Sequence, residues 1–143
     1  MALIEVAGEP TEELREALAV LLPQLNPSIT PPDHERIQKL LTDPGVTLLV
    51  ARDDDRIVGT ATVIVYTTPA WTKTRIEDVV VDVAARGRGI GEALVNACIE
   101  LGRGRGATLV ELQSRESRVE ANRLYQRMGF RLVDSNLYRM SLG

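Results

Sequence analysis

The sequence predicts an α/β (α+β) protein with a mixed, mainly antiparallel central sheet flanked by helices. Three observations carry this. Val79, Val80, Val81 and Val83 form a β-branched run suited to a buried strand. That run feeds Arg86-Gly87-Arg88-Gly89-Ile90-Gly91, a glycine-rich turn, and then apolar residues at helical spacing: Ile90, Leu94, Cys98 and Leu101. Upstream, Val46 to Ala51 and Ile57 to Tyr66 flank an Asp53-Asp54-Asp55 turn, the pattern of an antiparallel hairpin.

The elements follow in order. Leu3 to Ala7 alternates weakly and reads as a first strand. Thr11 can cap a helix through Leu14, Leu18, Leu21 and Leu22, which should end before Pro23. Thr30-Pro31-Pro32-Asp33 reads as the start of a second helix, with proline in its first turn and Ile37, Leu40 and Leu41 on its apolar face. Asp43-Pro44-Gly45 ends it, the hairpin follows, and the segment Thr67 to Thr74 with Trp71 leads into the central strand. Beyond the glycine turn and its helix, Gly102-Arg103-Gly104-Arg105-Gly106 is a helix C-cap and loop. Thr108 to Gln113 is a strand. Ser117-Arg118-Val119-Glu120 has the form of a capping box, starting a helix that stops at Gly129. Phe130 to Val133 and Leu137 to Leu142 are expected to close the sheet as two further strands.

A chain of 143 residues fits a single domain, 1–143, large enough to bury a core without a staple. One cysteine, Cys98, excludes an internal disulfide and a multi-cysteine zinc site; its helical spacing makes it a core residue. The net charge of −3 argues against a general nucleic-acid binder. No apolar run approaches the ~20 residues of a membrane span, and the N-terminus lacks the basic region of a signal peptide. A cytoplasmic location is the expectation. The acid triplet lacks the alternation and glycine of a calcium loop, and no metal site is expected. The lone His34 is a solvated residue or a group at the mouth of a site.

The glycine turn carries the chemistry. A strand entering a helix through glycines leaves unpaired N–H groups at the positive end of the helix dipole, which suits a phosphate or pyrophosphate. Glycine lets a ligand approach the backbone, and Arg86 and Arg88 add charge. The turn is neither the G-x-G-x-x-G of a dinucleotide fold nor a P-loop, which needs Lys-Ser/Thr.

This element order and two motifs resemble the GCN5-related N-acetyltransferase (GNAT) superfamily. Arg86, Gly89 and Gly91 match the family's Arg/Gln-x-x-Gly-x-Gly/Ala turn. Ala121-Asn122-Arg123-Leu124-Tyr125-Gln126-Arg127-Met128-Gly129-Phe130 is similar to its Asn-x-x-Leu-Tyr-x-x-x-Gly-Phe segment. The resemblance implies a GNAT-like acyl-CoA N-acyltransferase fold, acetyl-CoA as co-substrate, and transfer of its acetyl group to an amine in a ternary complex. It implies that backbone groups of Val79, Val81 and Val83 run beside the pantetheine arm. The pyrophosphate would sit on Arg86 and the amides of Arg88, Gly89, Ile90, Gly91 and Glu92, with Asn122 bonding the arm.

In that chemistry the amine must shed a proton, which at a pKa of ~10.4 costs ~4–5 kcal/mol at neutral pH. Glu77 resembles the strand carboxylate that serves as base; the alternative is a strand-end acid paired with Arg75. An N–H near Val79 would hold the oxyanion. Tyr125 would protonate the leaving thiolate, or else it is a core aromatic. Glu77 and Asp78 are expected on opposite faces of the strand. Tyr66 and Trp71 would wall an acceptor pocket or simply pack, and Ser114 is a candidate polar contact. An acyl-CoA-binding sensor without turnover and a nucleotide-binding regulator are the competing readings. Partners are acetyl-CoA and an amine-bearing small molecule or protein, with neither nucleic acid nor membrane; a homodimer is left open.

Overall fold

The computed structural model of the chain describes residues 2–143. Its elements are β1 (Leu3–Val6), α1 (Glu12–Leu25), α2 (His34–Thr42), β2 (Val46–Asp53), β3 (Arg56–Thr67), β4 (Thr72–Val81), α3 (Ile90–Gly104), β5 (Leu109–Leu112) and α4 (Val119–Arg127). The strands form one sheet in the order β1-β2-β3-β4-β5; β4 and β5 are parallel and the other neighbours antiparallel. The chain divides into two compact units, Met1–Gln113 with the whole sheet and Ser114–Gly143 with α4.

Local chemistry explains most element ends. Thr11 Oγ1 accepts from Leu14 N (3.1 Å) at the start of α1. Asp33, not the preceding prolines, starts α2: its carboxylate accepts from Arg36 N at 2.9 Å, so Pro31 and Pro32 stand outside the helix. α1 does not end before Pro23 but continues to Leu25. Pro23 forfeits one backbone hydrogen bond, yet the helix runs on past it, with Asn26 N donating to Leu22 O at 3.1 Å. The β2–β3 turn places Asp54 and Asp55 at φ 51° and 65°, the left-handed pair that joins strands by a two-residue loop.

The sheet register decides which side chains share a face. Leu48 pairs with Thr62 and Val50 with Thr60, and Leu48 and Val50 pack with Leu14, Leu18 and Ile37 of α1 and α2. The other face meets α3: a Cβ on Gly59 would come within 3.1 Å of Leu94 Cδ1. Gly102 lies inside α3, not at its cap, because a Cβ there would stand 1.8 Å from Thr74 Oγ1 on β4. The helix closes instead at Gly106, whose φ is 87°. Arg52 ties β2 to its neighbours through ion pairs with Glu5 of β1 and Glu13 of α1.

In the second unit α4 starts at Arg118 without a side-chain cap, so the Ser117 capping box does not form; Glu120 pairs along the helix with Arg123 instead. Gly129, at φ 103°, ends the helix, and Phe130 N bonds to Tyr125 O at 3.0 Å. The two expected closing strands are not formed. Residues 130–143 belong to no ladder, since an alternating pattern becomes a strand only where a neighbouring strand accepts its hydrogen bonds.

Candidate active site

The site is built on a defect in β4. Ile76 pairs with Val63 and Glu77 with Thr62, but Val80 pairs with Thr60, so Asp78 and Val79 together occupy the place opposite Ala61. This bulge is made possible by Asp78, whose φ of 52° is left-handed; aspartate tolerates that region better than most side chains. Because two residues fill one place, the alternation of the strand breaks between Asp78 and Val79, after Glu77. Ile76 shares a face with Val63, whereas Glu77 and Val80 share the opposite face with Thr62 and Thr60.

The bulge coincides with the parting of β4 from β5. The parallel ladder ends at Ile76–Leu112, while β4 stays paired to β3 as far as Val81–Gly59. From Glu77 to Val81 the outer edge of β4 therefore has no strand partner. Asp82 N donates to Val58 O (2.8 Å) on β3, so one residue earlier the groups of Val81 face the open side. Val79, two residues back, faces the same way.

Val83 departs from the expectation. The strand stops at Val81 and Val83–Ala85 make a 3₁₀ turn, capped by Asp82 Oδ1, which accepts from Ala84 N at 3.1 Å. Val83 N–H is taken by Gln24 Oε1 of α1 at 2.9 Å, so Val83 does not extend the open edge. An aspartate immediately before a short helical turn is a readable capping signal; a glutamine 59 residues away is not.

Gly87 and Gly89 both adopt left-handed φ, 81° and 78°, and Gly89 is the cap of α3 with no side-chain acceptor. Helix geometry leaves the N–H groups of Ile90, Gly91 and Glu92 without intrahelical partners. No Cβ would meet other atoms at Gly87 or Gly89, so their value is conformational. Arg86 Nε donates to Val81 O (3.0 Å), anchoring the guanidinium where the open edge meets the turn. Arg88 is engaged differently: its Nη1 lies 2.6 Å from Asp53 Oδ2 in the β2–β3 turn. The first acid of the triplet thus ties the hairpin turn to the glycine turn.

Glu77 accepts from Arg75 Nε at 2.9 Å, and Arg75 Nη2 reaches Gln113 Oε1 at 3.2 Å. The ion-pair alternative for Glu77 is realised in the structure. Asp78 is the perturbed carboxyl: partial burial, then the adjacent Glu77 charge, push its pKa above the usual carboxylate range. Burial likewise pushes the Cys98 thiol up to about 12, which suits a core residue.

Within the second unit Tyr125 is buried, its ring edge-on to Phe130 at 5.9 Å between centroids. Asn122 Nδ2 donates to Arg115 O at 2.9 Å, fixing the segment before α4. Ser114 Oγ is buried with no hydrogen-bond partner among the described residues. Tyr66 and Trp71 are exposed at the β3–β4 hairpin, with Lys73 Nζ 5.9 Å from the Trp71 ring centre. His34 opens α2, exposed.

An open strand edge running into an amide-rich helix start is a place to lay an extended ligand with a terminal anion. Residues 11–130 match the acetyltransferase (GNAT) family. The chain belongs to this family. Among curated relatives, glucosamine 6-phosphate N-acetyltransferase of Trypanosoma brucei brucei is 38% identical over 81 residues, 53% of this chain and 52% of that protein. Human N-acetyltransferase 8B is 28% identical over 70% of this chain and 45% of its own length. The chain thus spans about half the length of these relatives. Among solved structures, a putative acetyltransferase from Agrobacterium tumefaciens is similar with a TM-score of 0.81 and 28% identity, over 97% of this chain and 99% of that one. A transcriptional regulator from Bacillus halodurans superposes with a TM-score of 0.79 and 29% identity, over 99% and 100%. The GNAT fold is therefore the fold of this chain.

Proposed function

We propose that the protein transfers the acetyl group of acetyl-CoA to a primary amine by direct attack in a ternary complex. The observation that carries this reading is the unpaired edge of β4 from Glu77 to Val81, continuous with the turn at Arg86–Gly89. Amide-like groups of a pantetheine arm can bond to Val79 and Val81 as an added strand would. The pyrophosphate then meets Arg86 and the amides from Arg88 to Glu92 at the positive end of α3. Acetyl-CoA supplies the activated thioester; the chain's own groups orient it and move protons.

In this reading a backbone N–H at the bulge, near Val79, stabilises the tetrahedral oxyanion. Glu77 takes the amine proton directly or through water, with Arg75 holding the carboxylate in place. Tyr125 returns a proton to the departing thiolate, and Asn122, whose remaining amide groups are not used by Arg115, bonds the arm. Membership of the family and relatives named as N-acetyltransferases support the reading.

Thermal shift with acetyl-CoA, ATP and NAD tests the first half: only acetyl-CoA should raise the melting point, since ligands that bind the native state alone stabilise it. A panel of amines, with glucosamine 6-phosphate and aminoglycosides included, tests the second, read as release of free CoA thiol. Binding of acetyl-CoA without thiol release across the panel would favour a sensor over an enzyme. Stabilisation by ATP or NAD in its place would overturn the assignment of the turn.

A further inference from the structure

The segment that joins the open edge of β4 to the glycine turn is held at three points. At its start, Asp82 N donates to Val58 O on β3 at 2.8 Å. At its end Ala85 is buried, with its N–H bonded to Asp82 O at 2.8 Å, and Arg86 Nε donates to Val81 O at 3.0 Å. Between the two, Val83 N donates to Gln24 Oε1 at 2.9 Å. Of these bonds the last alone reaches a helix.

Gln24 is well placed for this contact. It stands in the last turn of α1, directly after Pro23, whose ring fixes its own φ. Leu14, Leu18 and Leu21, all buried, seat that helix. Both ends of the Gln24 amide are engaged: Nε2 donates to Val20 O at 3.2 Å, which turns Oε1 toward Val83. The Val83 side chain is 66% exposed, so its own burial does not hold the turn at this point.

We infer that Gln24 is a positioning residue for the cosubstrate: through Val83 N–H it fixes the glycine turn relative to the open edge, so that both halves of acetyl-CoA meet preformed partners. This rests on the reading of the edge and the turn as an acetyl-CoA site, and it adds to that site a residue of α1. The physical ground is ordering. A ligand that spans two elements bears the entropy of fixing them relative to each other, unless the protein has fixed them beforehand. The strand up to Val81 is held by its ladder with β3, whereas the turn beyond it has no ladder. A tie from a seated helix supplies the missing restraint.

Gln24→Met keeps the length of the side chain and removes the acceptor. Calorimetry should find acetyl-CoA bound roughly fivefold more weakly, the scale of one net hydrogen bond. Amide exchange over residues 84–89 of the free protein should be faster. Val83→Pro separates positioning from general destabilisation. Asp82, at φ −50° and ψ 133°, has the extended backbone that a residue before proline needs, and proline suits the first place of a helical turn. The ring then holds the turn without an N–H, and Gln24→Met in that background should cost less than about twofold. The bond to Val20 is lost in both backgrounds alike, so the difference between them reports on Val83. Wild-type affinity in Gln24→Met, an equal loss in both backgrounds, or unchanged exchange over 84–89 would overturn the inference and leave the acetyl-CoA site standing. A wild-type protein that does not bind acetyl-CoA would overturn the site, and this inference with it.

Discussion

Arg88 Nη1 stands 2.6 Å from Asp53 Oδ2, which joins the glycine turn to the β2–β3 hairpin. Asp53 is the more sheltered partner, with its side chain 16% exposed against 58% for Arg88. The two arginines of the turn are therefore unequal. Arg86 is anchored by a backbone carbonyl and has no carboxylate partner among the described residues, whereas the charge of Arg88 is matched by a carboxylate. Calorimetry should find that Arg86→Ala weakens acetyl-CoA binding about tenfold or more, in line with ~1.5–3 kcal/mol for a charge-assisted hydrogen bond. Arg88→Ala should cost roughly fivefold or less, as expected of a partly exposed ion pair worth ~0–1 kcal/mol. Equal losses in the two variants would mean that Arg88 leaves Asp53 when the ligand arrives.

The close approach of Gly102 to Thr74 makes a stability prediction. Gly102→Ala would place a methyl 1.8 Å from Thr74 Oγ1, and a shift of α3 away from β4 should cost roughly 1–3 kcal/mol or more. Thr74→Val at the same contact should be nearly neutral, because Thr74 Oγ1 is buried without a hydrogen bond to lose. Urea unfolding of both variants checks the pair. A mild Gly102→Ala would show that the helix can slide freely over the sheet.

What was legible in the sequence was local. The hairpin, the glycine turn, the Thr11 cap and the helix that follows Gly89 are each written in a few adjacent residues, and each is found where it was read. What was not legible depends on partners far along the chain. Asp53 engages Arg88 and Gln24 engages Val83 across 35 and 59 residues, and no pattern in either neighbourhood announces the other. The Ser117 box had the right letters, but the backbone at Arg118 starts the helix without it. The β4 bulge was missed for a different reason. The run Glu77 to Val81 looks like an uninterrupted strand, and only the left-handed Asp78 marks the place where a residue is added. The residues of the glycine turn were therefore readable, while the open edge that leads to them was not.

For Tyr125, buried and edge-on to Phe130, packing and catalysis predict different outcomes. Tyr125→Phe keeps the ring and removes only the hydroxyl. If the hydroxyl protonates the thiolate, kcat falls while the acetyl-CoA dissociation constant hardly moves. Tyr125→Leu would in addition lose the edge-on contact, worth ~0.5–1.5 kcal/mol, and should melt lower. A Tyr125→Phe enzyme with normal kcat would leave the tyrosine a packing role alone.

Glu77 and Asp78 are adjacent carboxylates in unlike settings, and pH separates them. Glu77→Gln preserves shape and can keep a hydrogen bond with Arg75, but it cannot take a proton from the amine. The kcat/KM for the amine should fall by roughly 10²–10⁴. Raising the pH should restore part of it, as more amine arrives neutral. Asp78→Asn retains the left-handed backbone, which asparagine also tolerates, and should leave turnover close to that of the wild type. Its signature is in stability. The folded-state pKa of Asp78 is raised, by burial first and then by Glu77, so above that pKa the wild type holds a charge the fold disfavours. The variant should therefore melt slightly higher at neutral pH. The advantage should shrink as pH falls through the raised pKa and vanish below the unfolded value of ~3.9. Because Asp78 is exposed, the gain is small, and a pH series of melting curves reads it more securely than one condition. Asp78→Ala is the counterpart: alanine lacks the local hydrogen bonding that eases φ near 52°, so it should lose roughly 1–2 kcal/mol whatever the pH. If Asp78→Asn proved the more damaged enzyme and Glu77→Gln stayed active at neutral pH, the proton would leave through the bulge residue and Glu77 would serve only to hold Arg75.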